Sequence, residues 1–173
     1  MYTKKRLTTF RKLCLFGTIL AFCVIVLGAY VRLSHAGLGC PDWPGCYGHL
    51  TAGQAAENQH AVNAAYPDRP VEYEKALKEM LHRYLAAPLG LVILVIGALA
   101  WRNREDSLQP VRMPLAVVAL VIFQGLLGMW TVTLLLKPAI VSAHLAGGLT
   151  TMALLWWMSL QTNRRSRPQA EHS

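Results

Sequence analysis

Four long apolar runs set the terms for this chain: Leu13 to Leu33, Tyr84 to Trp101, Met113 to Leu136 and Ala139 to Leu160. Each approaches or exceeds the roughly 20 residues that a helix needs to cross the hydrocarbon core of a bilayer. Almost no Asp, Glu, Lys or Arg lies inside them. A helix buried in a soluble protein shows a polar stripe at the 3.6-residue period, and these runs do not. Within lipid each backbone donor and acceptor must be satisfied inside the segment, which selects the helix. The expected fold is therefore all-α, an integral membrane four-helix bundle. Composition agrees: hydrophobic residues make up 54 % and charged residues 15 %. Disordered chains are apolar-poor and charge-rich, so disorder is excluded. Four Cys in 173 residues also exclude a disulfide-dense miniprotein. The first run is too long for the apolar region of a signal peptide, and no small-residue cleavage site follows it cleanly.

The net charge of +8 is explained by where the cations stand. Lys4, Lys5, Arg6, Arg11 and Lys12 precede the first run. Arg102, Arg104 and Arg112 lie between the second and third, and Arg164, Arg165 and Arg167 follow the fourth. The positive-inside rule puts all three segments in the cytoplasm. A basic patch scattered among short membrane loops is a poor nucleic-acid surface, so no nucleic acid is expected as a partner. The expected organisation is a cytoplasmic basic N-terminus over 1–12, a four-span bundle over 13–161 and a cytoplasmic polar tail over 162–173. Both termini face inward, in a cell inner membrane, with lipid around the spans. A long extracytoplasmic loop, 34–81, and a tight Lys137–Pro138 turn face outward. No internal repeat or low-complexity tract is evident.

In the outer loop Cys40 and Cys46 flank a Pro- and Gly-rich stretch on the oxidising face. A disulfide is the natural reading; two free thiols are the alternative. Cys14 and Cys23, inside the first run, read as apolar fillers. Arg32 stands at the outer end of that run, against the charge bias. It either snorkels to the head groups or serves as counter-ion to an anionic ligand. Further on, residues 70–83 read as a helix that runs straight into the second span. Pro70 suits its first position and Glu72 and Glu74 its first turn. Tyr73, Leu77, Met80 or Leu81, and Tyr84 form an apolar stripe along it.

Six His are present. His172 lies in the polar tail, His49 and His60 read as solvated loop residues, and His35 is ambiguous. His82 and His144 differ. Each enters its span from the outer side, at similar depth. An ionisable residue in a span is costly and marks a functional site by default. Two at matched depth suggest axial ligands to one metal centre, and neutral imidazole is a standard haem ligand. Ala86 and Gly90 share a face with His82, and Gly147 and Gly148 with His144. They leave room for a flat macrocycle, though ordinary membrane-helix packing also favours small residues. Glu79 is one turn before His82 and shares its face. Beside a cofactor it can carry protons; otherwise it is a solvated carboxylate at the membrane edge. Arg83 can pair with a propionate or a lipid phosphate.

Taken together, these residues resemble the haem A synthase family. The likeness rests on Val31-Arg32-Leu33 running to Gly37-Leu38, on Cys40-Pro41-Asp42-Trp43-Pro44 and on Cys46-Tyr47-Gly48. It continues through Glu79-Met80-Leu81-His82-Arg83, Gly128-Met129-Trp130-Thr131-Val132-Thr133 and Ala143-His144-Leu145. The resemblance implies two similar four-helix halves in one chain, each with a His pair at these positions. It implies oxidation of the methyl group of haem O to the formyl of haem A, for cytochrome oxidase assembly. His82 and His144 would hold a haem, haem b or haem O, through its iron, with Arg32 and Arg83 as further haem-binding residues. Glu79 would be the catalytic carboxylate, and the Cys40–Cys46 disulfide would matter for activity or haem handover.

One departure is large: the chain looks like the N-terminal half alone. Three outcomes follow, namely a homodimer, a pairing with a separately encoded second half, or an inactive fragment. Haem O synthase is a candidate partner. Two rival functions stay open. One is a bis-His membrane cytochrome or haem carrier without hydroxylase activity, and the other a structural membrane bundle with no cofactor.

Overall fold

The computed structural model describes residues 2–165, with side chains from 5 to 164. The tail from Ser166 onward, with Arg167 and His172, lies outside the described residues, as do the side chains of Lys4 and Arg165. Six helices follow in order: α1 Tyr2–Leu33, α2 Ala52–Glu57, α3 Gln59–Ala65, α4 Tyr73–Arg102, α5 Arg112–Thr133 and α6 Pro138–Arg165. Among the described residues there is no strand. α1, α4, α5 and α6 are long and apolar enough to cross a membrane, so this is a multi-pass membrane protein.

The four long helices form a ring. α1 packs on α4 and α6, α5 packs on α4 and α6, and the backbones of the diagonal pairs stay further apart. Side-chain contacts give the directions. Along α1, Arg6 reaches Asn103 near the end of α4, Gly17 meets Val92, and Gly28 meets His82 near its start. These pairs keep one antiparallel register. α1 is antiparallel to α6 as well, through Arg11 with Asn163, Gly17 with Leu155 and Gly148 with Ile25. α4 and α6 thus run parallel on opposite corners of the ring.

The bundle is unevenly packed. Phe10, Cys14, Ala21, Ile93, Ile96, Ala100, Val117, Leu155 and Met158 form a dense core toward the start of α1. Toward the other end it thins: α6 buries Thr151, Leu155 and Met158, but none of its residues from 138 to 150. The buried Thr151 and Thr162, and the half-buried Thr18, each donate to the carbonyl one turn back in their own helix.

Several sequence expectations are corrected in detail. α4 begins at Tyr73 with Glu72 at the N-cap, so Pro70 and Glu72 precede the helix. Of the stripe expected from Tyr73, Leu77, Met80 or Leu81, and Tyr84, Met80 is buried and Leu77 packs beside it, but the ends are not buried. Tyr73, Leu81 and Tyr84 are exposed, while Ala76, Glu79 and Met80 are buried against the loop. The third span stops at Thr133. Leu134–Lys137 form the turn, with Leu135 and Leu136 at positive φ, so the turn is longer than Lys137–Pro138.

Candidate functional site

The segment between α1 and α4 folds into a cap that sits on the first turns of α4. Cys40 and Cys46 form a disulfide. Inside this loop the Asp42 carboxylate accepts from the amides of Tyr47, at 2.6 Å, and Gly48, at 2.8 Å. Tyr47 and Gly48 both take positive φ, which fits Gly freely and Tyr only with such support. The Tyr47 hydroxyl donates to the Pro70 carbonyl at 3.1 Å, and burial raises its pKa above the ordinary value. Gly39 lets the loop reach α4: a Cβ there would stand 2.5 Å from the Lys75 carbonyl carbon.

Glu79 and Arg83 fasten this cap. Glu79, only 5 % exposed, accepts from the Cys40 amide at 3.0 Å and pairs with Arg83. Arg83 also donates to the carbonyls of Asp42 and Pro44, both at 3.1 Å, and of Gly45. Both carboxylate oxygens and both terminal guanidinium nitrogens therefore serve the cap. Glu79 is therefore buried, not a solvated carboxylate at the membrane edge. Arg32 is exposed in the last turn of α1 and joins no such contact.

One turn beyond Glu79, His82 turns inward. Its ring lies on Gly28 of α1. His144 comes from the diagonal helix, and its ring lies on Gly128 of α5. The α1–α6 register sets Gly148 beside Ile25, so His144, four residues earlier, is level with about residue 29 at 1.5 Å rise per residue. His82 is level with Gly28. The two imidazoles thus stand at one height on opposite corners. Nδ1 of each is buried without a hydrogen-bond partner. A buried polar atom left unpaired costs about 1–3 kcal/mol, and at this depth no bulk water relieves it. Gln124 on α5 adds a third such atom, Nε2.

Among the described residues no three His, Cys, Asp or Glu side chains gather to hold a bare metal ion. Two imidazoles alone under-coordinate a free ion. They suit an iron whose equatorial positions a macrocycle already fills. The residues present therefore fit a haem.

The sequence pointed to His82 and His144 as a pair, and the structure sets both rings at one height; the Cys40–Cys46 bridge it named is formed. The sequence did not point to the glycines that receive the rings. Gly28 and Gly128 lie on neighbouring helices, whereas Gly90 faces open space and Gly147 packs against Gln124. Gln124 was legible, as the one amide inside the third apolar run.

Residues 11–173 match COX15-CtaA, the cytochrome oxidase assembly protein family. A protein named heme A synthase from Shewanella oneidensis is 47 % identical over 160 residues, which cover 92 % of this chain and 47 % of that protein. A heme A synthase from Halalkalibacterium halodurans is 27 % identical over 165 residues, covering 91 % of this chain and 50 % of that one. One from Agrobacterium fabrum is 28 % identical over 151 residues, covering 78 % and 40 %. The chain spans about half the length of these curated relatives, or somewhat less. No solved structure matches it. With nearly the whole chain matched, from α1 through the cap and both histidines to α6, it belongs to the cytochrome oxidase assembly protein family COX15-CtaA.

Proposed function

We propose that this chain is a haem-binding half of a haem A synthase, an enzyme that converts the methyl group of haem O to the formyl of haem A for cytochrome oxidase biogenesis. The observation that carries the reading is the pair of orphaned imidazole nitrogens, His82 and His144, at one height on diagonal helices. Haem, as haem b or haem O, supplies the redox chemistry that these side chains lack. His82 and His144 would hold it through its iron. Gly28 and Gly128 hold the rings in place, and the apolar helices keep water out. Glu79, one turn from His82, is the carboxylate assigned to proton transfer. Arg83 and the Cys40 amide fix its position. Arg32, exposed at the cap end, is a counter-ion for haem carboxylates, with Arg83 as the second cation there.

The placement of basic residues supports cytoplasmic termini, an extracytoplasmic cap and residence in the cell inner membrane. The disulfide agrees with an oxidising compartment for the cap. The half-length match supports a requirement for a second four-helix half or a second copy of this chain. A haem O synthase would supply the substrate. One observation favours a second reading, a haem carrier without hydroxylase activity: both oxygens of Glu79 are already engaged, one by the Cys40 amide and the other by Arg83.

The test is expression with a haem O source, alone and with a second four-helix half, followed by mass analysis of extracted haem. Haem A in either case supports the enzyme. Bound haem without haem A in both supports the carrier. Purified protein without a Soret band rejects both readings.

A further inference from the structure

Gln124 stands out because nothing in the fold accounts for it. It lies well inside α5 and is 8 % exposed, yet its amide nitrogen has no partner. Serine and threonine solve this problem in a membrane helix by donating to their own backbone, and Thr151 of the facing helix does so. Gln124 does not. Its carboxamide fills the space over Gly147, where any Cβ would collide with it. Gly147 is one turn from His144 along α6, and Gly128, which receives the His144 ring, is one turn from Gln124 along α5. The orphaned amide is therefore held one turn deeper in the bundle than the imidazoles, on the side away from the cap.

We propose that Gln124 is a specificity-determining residue of the His82–His144 site, donating from Nε2 to an oxygen carried on the inward edge of the bound haem. The inference rests on the haem-binding reading above. The depth argues for this acceptor. Haem carboxylates are charged and belong at the polar cap end, where Arg32 and Arg83 stand. At the depth of Gln124 the edge of a haem carries hydrocarbon, unless it bears a hydroxyl or a formyl. Against hydrocarbon the amide stays unsatisfied; against an oxygen it is paired. A site built to hydrogen-bond a ligand oxygen discriminates against the analogue that lacks it, so Gln124 favours oxygen-bearing haems over haem b.

The experiment loads the purified wild-type chain and Gln124→Met with haem A and, separately, with haem b. Gln124→Met keeps the length of the side chain and removes an unsatisfied amide, so the haem-free variant is expected to be at least as thermally stable as wild type. Resonance Raman then reads the formyl stretch. In wild type it is expected to be lowered, as for a hydrogen-bonded carbonyl, and in Gln124→Met to return to the unbonded position. Optical titration is expected to show a preference for haem A over haem b that falls about tenfold in the variant, the scale of one buried hydrogen bond. Haem binding with an identical formyl stretch and an identical preference in both proteins overturns the role of Gln124 alone. Failure of wild type to bind either haem overturns the haem site and this proposal with it.

Discussion

The imidazole of His82 on α4 lies against Gly28 of α1 so closely that a Cβ at position 28 would stand 2.9 Å from Cε1. The glycine therefore sets where the ring can be. Gly28→Ala forces the ring or the helix pair to shift, and overpacking of this kind costs about 1–3 kcal/mol. Haem b affinity, read by optical titration, is expected to fall about tenfold or more. Gly128→Ala is milder, since its Cβ would stand 3.4 Å from the His144 ring. Gly90→Ala, whose Cβ meets open space, is the control and is expected to change nothing. Equal effects at 28 and 90 would mean that Gly28 does not seat the ligand.

Glu79 carries two assignments that substitutions can separate. Glu79→Ala removes the acceptor for Cys40 and leaves the nearly buried Arg83 without its partner. Breaking a buried pair this way costs about 3–5 kcal/mol, so the cap is expected to loosen and thiols to reduce the disulfide faster. Glu79→Gln keeps an oxygen for the Cys40 amide and is expected to hold the cap more closely. Haem A output then decides the chemistry. If Gln supports conversion as well as Glu does, the residue positions the cap and does not carry protons.

The spans and the histidine pair were legible in sequence because both follow from one-dimensional rules. A run of apolar residues must be a helix in lipid, and spans of equal direction put residues of equal offset at equal depth. The cap was legible only in part. Its disulfide followed from spacing and compartment, but the Glu79–Arg83 clamp needs a loop folded back over 39 positions, from Cys40 to Glu79. A charged pair one turn apart on a helix looks like any surface pair until that loop covers it. The glycine seats were hidden for a related reason. Small residues beside His82 and His144 on their own helices were visible, whereas Gly28 and Gly128 act across a helix–helix contact, and register between helices is not written in any one segment.

Asp42 organises the cap from inside. Its carboxylate holds the amides of Tyr47 and Gly48 while both residues sit at positive φ. Asp42→Ala is expected to cost about 1–3 kcal/mol, through two amides that lose their acceptor. Asp42→Asn keeps one oxygen and is expected to cost less. Limited proteolysis of the cap, compared in the two variants, checks the order. Equal protection of Ala and Asn would show that the turn stands without this side chain.

Haem should stabilise the bundle through its histidines, and thermal unfolding in detergent measures this. A ligand that binds only the folded state adds about 2.7 kcal/mol at a hundredfold excess over Kd, so wild type is expected to unfold at higher temperature when haem b is added. Without haem, the orphaned Nδ1 atoms of His82 and His144 are a cost to the fold. His82→Ala and His144→Ala are therefore expected to lose little haem-free stability. With haem, each single variant is expected to lose part of the gain and change its Soret spectrum, because one of the two imidazoles remains. The double variant is expected to lose all of the gain. A double variant stabilised by haem as strongly as wild type would move the binding site away from these two residues.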